Sequence, residues 1–306
     1  MSNPQKPIVV VGSINVDLVA RTPRIALPGE TLIGTGFETT PGGKGSNQAV
    51  AAARLGYPVA IVGMVGEDVF GQSLLDNLKG AGVDTSAVAR VSGPSGVAQI
   101  QVAATGANSI IVVPGANGKV DSEYVDHHAA LIRSAGMVLC QLELPIATIL
   151  HTLEICAAAN IPVMLDPAPA APLPDSVWPR ITWFTPNETE AAFYLQGVSD
   201  PEHAAQQLLA KGLKGVVLKR GPEGAFVALP DKTSTWVCPF PVKAIDTVGA
   251  GDCFNGAFAV ALLQGNDPLQ AAQFANAAAA ISVTRRGAQA SMPSRAEVVA
   301  LLSQST

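Results

Sequence analysis

The stretch Ile8-Val9-Val10-Val11-Gly12-Ser13-Ile14-Asn15-Val16-Asp17 decides the fold class. Four consecutive apolar residues end at a glycine, which is typical of a short strand covered on both faces of a sheet. Asn15 and Asp17 follow at a spacing of two, so their side chains lie on one face of an extended chain. Because ligands bind at the carboxyl ends of parallel strands, these residues indicate a ligand side, although a purely structural role stays open.

Similar short apolar runs recur along the chain and alternate with segments of helical character. The runs are 60–65, 110–113, 137–140, 163–165 and 215–218. The helical segments are 48–55, 70–79, 146–159, 203–211, 254–263 and 269–283. Strands that alternate with helices predict an α/β fold with a central, mostly parallel sheet flanked by helices, formed by one domain over residues 1–306.

Two stretches, residues 16–39 and 97–113, interrupt this alternation. In the first stretch, polar residues alternate with apolar ones, and several prolines and glycines occur. The second stretch resembles a hairpin that turns at 105–108. We expect exposed antiparallel strands that form a small β-sheet lid on the α/β body. The alternative is a pair of long surface loops.

The composition excludes several classes of protein. The chain has 306 residues, of which 48% are hydrophobic and 14% charged, with a net charge of −5. This predicts a large core and argues against nucleic acid as a partner, since phosphate backbones need a basic surface. The four cysteines match no zinc or redox spacing, and the apolar runs are too short for an export signal or membrane span. We therefore expect a soluble cytoplasmic protein.

The segment Asp246-Thr247-Val248-Gly249-Ala250-Gly251-Asp252 carries the sharpest chemical signal. Small residues expose consecutive backbone amides, and the helix that follows adds unpaired N–H groups and a positive dipole end. Such a segment predicts a pocket for an anion whose charge grows during a reaction. Asp252 at its mouth is suited to accept a proton, and the alternative is a simple N-cap aspartate.

The segment Pro41-Gly42-Gly43-Lys44-Gly45-Ser46-Asn47-Gln48 opens an alanine-rich helix. It does not have the glycine spacing of a P-loop. Paired glycines allow close backbone approach, and Lys44 and Asn47 offer polar groups that suit a polyhydroxy ligand.

Two further segments suggest a nucleotide side. Thr185-Pro186-Asn187-Glu188-Thr189-Glu190 is either an ordinary helix start or a carboxylate that organises magnesium. Residues 218–225 predict a strand, a glycine-rich turn and a second strand, which is a plausible but unspecific nucleotide loop.

Taken together and in this order, these motifs resemble the ribokinase family of carbohydrate kinases, also called the PfkB family. The resemblance covers nearly the whole chain, and the segments around Lys44 and Asp252 are specific to that family as a pair. Residues 12–17, 114–117 and 284–289 narrow the resemblance toward members that act on ribose.

The resemblance implies a ribokinase-like fold, a lid over the sugar and pairing of two lids in a homodimer. Its implied sugar contacts are Asn15, Asp17, Gly42, Gly43, Lys44, Asn47, Glu143 and Asp252. Its implied nucleotide contacts are Asn187, Lys219, Arg220, Gly221, Pro222, Glu223, Gly224, Gly251 and Asn276, with Glu190 organising Mg²⁺. A potassium ion is implied beside the anion pocket, held by Asp246, Ser291 and backbone oxygens of Val248, Ser282, Arg285 and Gly287.

This chain also departs from the family pattern. Lys219-Arg220-Gly221 stands where Thr-x-Gly is frequent, which leaves the nucleotide contacts there open. Cys253 stands where threonine is common, and we interpret it as a small packing residue.

The predicted activity is transfer of the ATP γ-phosphoryl group to the 5-hydroxyl of ribose. Asp252 would take the hydroxyl proton, and the amides of Gly249, Ala250 and Gly251 would hold the phosphoryl charge. A kinase acting on deoxyribose, fructose or a nucleoside is the near alternative, and a non-catalytic sugar-binding protein is the distant one. A dinucleotide oxidoreductase is disfavoured because no Gly-x-Gly-x-x-Gly follows the first strand.

Overall fold

The computed structural model describes residues 5–195, 197, 200–231 and 233–304. Its strands are β1 (Ile8–Val11), β2 (Asn15–Thr22), β3 (Gly36–Gly42), β4 (Val59–Gly66), β5 (Asp84–Val91), β6 (Gly96–Ala103), β7 (Asn108–Val113), β8 (Met137–Cys140), β9 (Val163–Leu165), β10 (Trp183–Phe184), β11 (Val216–Lys219), β12 (Ala225–Ala228) and β13 (Ser234–Val237). Its α-helices are α1 (Lys44–Arg54), α2 (Val69–Gly80), α3 (Ser122–His127), α4 (Ala129–Ser134), α5 (Ile146–Ala158), α6 (Glu188–Leu195), α7 (Pro201–Ala210), α8 (Ala250–Leu263), α9 (Pro268–Ser282) and α10 (Arg295–Ser303).

Within these residues a nine-stranded sheet runs in the order β13-β12-β11-β10-β9-β8-β1-β4-β5. The pairs from β11 to β5 are parallel, and β12 and β13 add an antiparallel edge. The predicted central, mostly parallel sheet is confirmed. The carboxyl ends of β1, β8 and β9 lie side by side, so the residues that follow these strands meet at one edge.

Helices cover both faces of this sheet, which explains the continuous apolar runs. Ile8 and Val10 of β1 belong to a core shared with α1, α8 and α9, whereas Val9 and Val11 belong to a second core with α5 and α7. Each strand therefore sends alternate side chains into two separate cores.

A four-stranded sheet in the order β3-β2-β6-β7 stands apart from the body. The prediction of a small sheet from residues 16–39 and 97–113 is confirmed, but the expectation of purely antiparallel strands is wrong. β2 and β6 pair in parallel, from Asn15 opposite Gly96 to Thr22 opposite Ala103. The reason is that α1, β4, α2 and β5 lie between these strands, and such a crossover returns the chain in the same direction.

Several boundaries differ from the sequence-based ranges. Helix α1 begins at Lys44 rather than at residue 48, and β5, β10, β13, α3, α4 and α10 were not predicted as separate elements. All four cysteines lie in the described part of the chain, and each is a free thiol. None of the helices in this part of the chain is both long enough and apolar enough to cross a membrane.

Candidate active site

Asp252 lies in the first turn of α8 with only 5% of its surface exposed. Its two carboxylate oxygens accept hydrogen bonds from Asn47 Nδ2 at 2.9 Å and Gln48 Nε2 at 3.2 Å. Burial raises the pKa of Asp252 to about 6, with Asp166 adding to the rise and Lys44, Asn47 and Gln48 opposing it. A carboxylate in this range is well placed to exchange a proton near neutral pH.

A second buried carboxylate, Asp166, follows β9 and was missed at the sequence level. It accepts from Gln48 Nε2 at 2.9 Å and from Lys219 Nζ at 2.8 Å. One glutamine amide therefore joins Asp166 to Asp252, and both carboxylates are fixed by α1. Lys219 Nζ also lies next to Gly251, where an added Cβ would meet it at 3.4 Å.

Glu143 follows β8 and organises the start of α1. Its Oε2 accepts from Ser13 Oγ at 2.5 Å, from the Lys44 N–H at 3.1 Å and from Asn15 Nδ2 at 3.5 Å. Asn117 supports the same group, because its Nδ2 donates to Asn15 Oδ1 at 2.6 Å. The structure thus brings Asn15, Lys44 and Glu143 together as the sequence predicted, and adds Ser13 and Asn117.

Asp17 on β2 faces the same region from the small sheet. Burial raises the pKa of Asp17 to about 7, helped by the nearby Glu143 and Asp252 carboxylates and opposed by Lys44. Gly42 is required here, because a Cβ at residue 42 would lie 2.2 Å from both Asp17 carboxylate oxygens. Gly43 has a φ of 93°, and a Cβ there would lie 2.7 Å from the Asn15 nitrogen.

Lys44 is the cation at the centre of these carboxylates. Burial lowers its pKa, but Asp252, Asp166, Glu143 and Glu190 raise it by more, so the pKa of Lys44 lies above its ordinary value. A permanently charged ammonium in this position partly balances several buried carboxylates.

The start of α8 offers open backbone donors. Gly249 precedes the helix with a φ of 74°, a left-handed conformation that favours glycine. The Ala250 N–H donates to the Thr247 carbonyl at 3.2 Å, whereas the N–H groups of Gly249, Gly251 and Asp252 have no acceptor within the described residues. Of the three predicted amides, Ala250 is therefore engaged in the turn, Gly249 and Gly251 are open donors, and the Asp252 N–H is a further open donor.

A cavity of about 830 Å³ extends from Lys44 and Asp252 along the start of α8. Its far wall is formed by the β11–β12 turn, the segment 239–244 and one face of α9, including Pro222, Gly224, Phe240, Val242 and Ala280. Apolar residues at one end and charged residues at the other suit a ligand with a flat ring system and an anionic tail.

Several residues predicted to contact the nucleotide line this cavity, and two do not. Asn187, Lys219, Gly221, Pro222, Gly224, Gly251 and Asn276 are in its wall. The Arg220 guanidinium instead pairs with Glu188 at 2.6 Å and with Glu223 at 3.1 Å, and neither Arg220 nor Glu223 is part of the wall. Asn276 Nδ2 donates to the carbonyls of Val237 and Cys238, which joins α9 to β13.

Asn187 and Glu190 both cap α6 and line the cavity. The Asn187 N–H donates to Glu190 Oε2 at 2.7 Å, and the Glu190 N–H donates to Asn187 Oδ1 at 2.8 Å. The segment therefore forms an ordinary helix start, as one interpretation expected, and it still places the Glu190 carboxylate in the cavity wall, as the magnesium interpretation requires. Burial raises the pKa of Glu190, and Lys219 lowers it in part. Glu190 fits a magnesium ion that is shared with phosphate and water, since such an ion needs only one or two protein carboxylates.

A second cleft of about 620 Å³ separates the small sheet from residues 244–248 and 286–288. Asp17, Thr40 and Asn108 line the side formed by the small sheet, and Thr247 belongs to the walls of both cavities. The small sheet therefore covers a cleft that adjoins the larger cavity at Thr247.

The residues predicted to hold potassium lie in two segments that Asp246 joins. Its carboxylate accepts from the Val248 N–H at 3.0 Å and from the Gly287 N–H at 2.9 Å. Ser282 and Ser291 are buried, and their hydroxyls donate to the carbonyls of Ala279 and Ala288. Carbonyl-rich turns held by one carboxylate fit a large monovalent cation. The described residues contain no group of three or more His, Cys, Asp or Glu side chains arranged for a metal ion.

Comparison with known proteins assigns the family. The model of the pfkB family carbohydrate kinases matches residues 5–295. The chain belongs to the pfkB family of carbohydrate kinases. Among its relatives, a ribokinase of Bacillus subtilis is 44% identical over 297 residues, covering 97% of this chain and 99% of that protein. A deoxyribokinase of Salmonella typhi is 39% identical over 294 residues, covering 94% and 95% of the two chains.

A solved structure agrees with this family assignment. The structure of Arabidopsis thaliana ribokinase complexed with ribose and ATP superposes on this pfkB family member with a TM-score of 0.91. The two share 36% sequence identity, and the match covers 97% of this chain and 98% of that chain. The ribokinase-like fold predicted from the motifs is therefore confirmed.

The residues that the sequence motifs did not single out are mostly amides that hold the carboxylates of this pfkB family member. They are Gln48, Asn117, Gln141, Asp166 and Gln289. Gln48 was quoted in the motif around Lys44, but nothing local indicates that it faces Asp166, which is 118 positions away. Asn117 and Gln289 end the quoted segments 114–117 and 284–289, but no role was assigned to them. Asp166 and Gln141 each follow a predicted strand at its carboxyl end, which is the signal that could have found them.

Proposed function

We propose that this protein transfers the γ-phosphoryl group of ATP to the 5-hydroxyl of D-ribose, giving ribose 5-phosphate and ADP. One observation carries the proposal: the buried Asp252 lines the large cavity at a helix start with open amides, and this cavity shares Thr247 with the cleft beneath the small sheet. The cleft beneath the small sheet would hold the sugar, and the large cavity would hold the nucleotide. The similarity to the ribokinases described above supports ribose as the acceptor.

In the proposed reaction the sugar hydroxyl lies against Asp252 and loses its proton to that carboxylate as the bond to phosphorus forms. Asn47 and Gln48 hold the carboxylate in one orientation by their hydrogen bonds to its two oxygens. Asn15, Asp17 and Glu143, with the backbone at Gly42 and Gly43, would bind the other sugar hydroxyls. Positioning of this kind supplies much of the barrier reduction in phosphoryl transfer.

The transferred group would lie against the N–H groups of Gly251 and Asp252, with Lys44 and Lys219 nearby. These donors are fixed before the reaction, so they stabilise the developing charge without reorganisation. Mg²⁺, when bound through Glu190 and water, would neutralise the β- and γ-phosphate oxygens. We further propose that K⁺ binds at the Asp246 turns, with Ser291 and the backbone oxygens of Val248, Ser282, Arg285 and Gly287 as its ligands.

The substitution Asp252→Asn tests the proposal. The asparagine side chain keeps the size of the aspartate but cannot take a proton at neutral pH, so turnover should fall roughly 10²–10⁴-fold, with sugar binding largely kept. ADP release at saturating ribose and ATP measures turnover, and calorimetry measures sugar affinity. The control is Asp76→Asn on the exposed face of α2. Turnover of D252N within threefold of the wild-type value would remove Asp252 from the role of base.

A panel of acceptors separates ribose from the alternatives. The similarity to a deoxyribokinase keeps 2-deoxyribose as a second candidate. The cluster around Asp17 and Glu143 has enough acceptors for adjacent hydroxyls, so an acceptor lacking one should bind less well. ADP release is measured with ribose, 2-deoxyribose, fructose and adenosine, each with and without K⁺. Sugar binding without ADP release from any acceptor would instead identify a non-catalytic sugar-binding protein.

We also propose that two copies pair through the small sheet. β7 is an edge strand, and all six of its residues are exposed. Ile110, Ile111, Val112 and Val113 expose between 43% and 60% of their surface. An apolar strand edge of this kind attracts another chain unless it is covered.

The oligomeric state tests this pairing. Sedimentation velocity should give a dimer for the wild-type chain and a monomer for Ile111→Lys, because a buried charge opposes association. Val299→Lys, at an exposed apolar residue of α10 outside the small sheet, is the control and should leave the dimer intact. A monomeric wild-type chain at micromolar concentration would contradict the proposal.

A cytoplasmic location is proposed as well. The four free thiols, three of which are buried, support a reducing compartment. Labelling of the native chain in fractionated cells with a thiol reagent, before and after reduction, would test it.

A further inference from the structure

A chain of three side-chain amides leads from the surface helix α2 to Asp252. Asn77 Nδ2 donates to Gln289 Oε1 at 2.6 Å, and Gln289 Nε2 donates to Asn47 Oδ1 at 3.0 Å. Asn47 Nδ2 then donates to Asp252 Oδ2 at 2.9 Å. We call these three residues the amide relay. Gln289 is at its centre and is 4% exposed.

The direction of the relay follows from the carboxylate at its end. An ionised Asp252 only accepts hydrogen bonds, so Asn47 must present its NH₂ group to it. The Asn47 carbonyl oxygen then faces away and needs a donor. Gln289 is that donor, and its Nε2 also donates to Ser46 Oγ at 3.1 Å. Both acceptors lie on adjacent residues of α1, so one amide group of residue 289 fixes two residues of the opposite segment.

The relay links three parts of the chain that are distant in sequence. Gln289 lies in the short 3₁₀ turn Gln289–Ser291, 242 positions from Asn47 and 212 from Asn77. The same turn is held separately by Arg54, which donates to the Met292 carbonyl at 2.9 Å. The anchoring of the turn by Arg54 and the polar link through Gln289 are therefore distinct contacts.

We propose that Gln289 is a positioning residue for phosphoryl transfer, which keeps the Asn47 amide turned with its NH₂ group toward Asp252. Without a donor at residue 289, the Asn47 amide is free to rotate, and its oxygen in place of its NH₂ group would repel the ionised carboxylate. The proposal rests on the proposed function, because it takes Asp252 as the base.

The charged groups that face Asp252 lie outside the relay. They are Lys44 on α1, Asp166 after β9 and Asp17 on β2. Gln48, which is neutral, completes the surroundings. A neutral substitution at residue 289 therefore changes the Asn47 hydrogen bond and leaves these charges in place. The Asn47 bond lowers the pKa of Asp252, so its loss raises that pKa, and more of the base is protonated at a given pH.

The test is the pH dependence of turnover in Gln289→Met and Gln289→Glu, measured by ADP release at saturating ribose and MgATP. Methionine removes the donor without adding charge, and we expect the acid limb of kcat to move up by about half a pH unit. Glutamate replaces the donor with an acceptor and adds a charge, and we expect a shift of about one unit or more. Turnover of Q289M should recover to within about twofold at about pH 8.5, where Asp252 is ionised in both proteins.

Arg54→Met is the matched control, because it loosens the same turn without touching the relay. Its acid limb should coincide with that of the wild-type chain. A shift in Q289E with none in Q289M would show a simple charge effect and overturn the proposal, as would a loss in Q289M that is equal at every pH. If D252N retains turnover, the assignment of the base fails; if D252N is inactive and Q289M is unshifted, only the role of Gln289 fails.

Discussion

Two helices that begin at the cleft, α1 and α8, start in a different way from two helices that begin on the outer surface, α2 and α9. At the cleft, α1 and α8 follow Gly43 and Gly249, which have positive φ angles and no side chain to accept from the first turn. On the outer surface, α2 and α9 follow Asp68 and Asp267, whose carboxylates accept from two first-turn amides each. Helices α2 and α9 are capped for stability, whereas the starts of α1 and α8 leave amides for a ligand or for a distant carboxylate such as Glu143. Helix α6 also begins at the cleft, but Asn187 and Glu190 cap it.

The ion pairs of the two regions differ in how far their side chains are buried. Lys219 and Asp166 pair at the cleft with side-chain exposures of 13% and 2%. Arg180 and Glu154 pair on the outer surface with exposures of 33% and 56%. A buried pair costs much desolvation energy and is expensive to break, whereas an exposed pair contributes little. The buried charges of the cleft therefore carry a desolvation penalty that the exposed charges of the outer surface do not.

The largest expected effect comes from breaking the buried pair. Lys219→Met leaves Asp166 buried without its cation, so the free energy of unfolding should fall by about 3–5 kcal/mol. Urea denaturation measures it. The double variant Lys219→Met/Asp166→Asn should recover at least half of the loss, since the uncompensated charge is gone. The matched change on the outer surface, Arg180→Met, should cost less than about 1 kcal/mol. Equal losses for the two single variants would contradict the contrast.

The second effect concerns the glycine that starts α8. Gly249→Ala places a Cβ 2.9 Å from that of Ala288 at a φ of 74°, so the turn must shift. Because the open amides of Gly251 and Asp252 move with it, we expect kcat to fall about 100-fold at saturating substrates.

Gly265 provides the control for that change. It also has a positive φ, of 90°, but a Cβ there meets nothing within 4 Å. Gly265→Ala should cost about 1 kcal/mol of stability through backbone strain and leave kcat unchanged. A similar kcat for G249A and G265A would mean that the position of the amides is unimportant.

The sequence predicted local features of the cleft well and its long-range contacts poorly. The glycines and the carboxylate around Asp252 form a contiguous motif whose conformation depends on nearby residues. The partners of Asp252 are instead 204 and 205 positions away, and nothing in a single sequence records that distance. Asp166 follows the predicted strand 163–165, but no motif around it marks it as a site residue, because its partners Gln48 and Lys219 are distant in sequence. The parallel pairing of β2 and β6 was missed for the same reason, since it depends on a crossover between them.

The third effect is a gain of stability when a cleft carboxylate is neutralised. The pKa of Asp17 is about 7 in the folded chain, against 3.8 for an ordinary aspartate. Between these values the folded state binds more protons than the unfolded state, so stability falls as pH rises through the window and stays low above about pH 7. Asp17→Asn should therefore raise the free energy of unfolding by about 2 kcal/mol at about pH 8 and by less than about half of that at about pH 5.

Urea denaturation at the two pH values measures this gain. The control is Asp76→Asn on the exposed face of α2, which should change the free energy of unfolding by less than about 0.5 kcal/mol. Ribose affinity should fall in the same D17N protein, because the charged acceptor is lost. A D17N chain that is less stable than the wild-type chain at the higher pH would contradict this prediction. It would show that neighbouring groups stabilise the ionised Asp17 carboxylate, so that its burial does not lower the stability of the fold.

The smallest effect comes from the capped helices. The Asp267 carboxylate accepts from the N–H groups of Leu269 and Gln270, both at 2.9 Å, at the start of α9. Asp267→Ala should lower the free energy of unfolding by about 1 kcal/mol, whereas Asp267→Asn keeps an acceptor and should change it by a few tenths. Turnover should stay within twofold in both, although α9 lines the large cavity through Asn276, because packing against α8 and β12 fixes the helix. A D267A chain that lost turnover in proportion to stability would show that the outer caps also position the cleft, and the two kinds of helix start would then share one role.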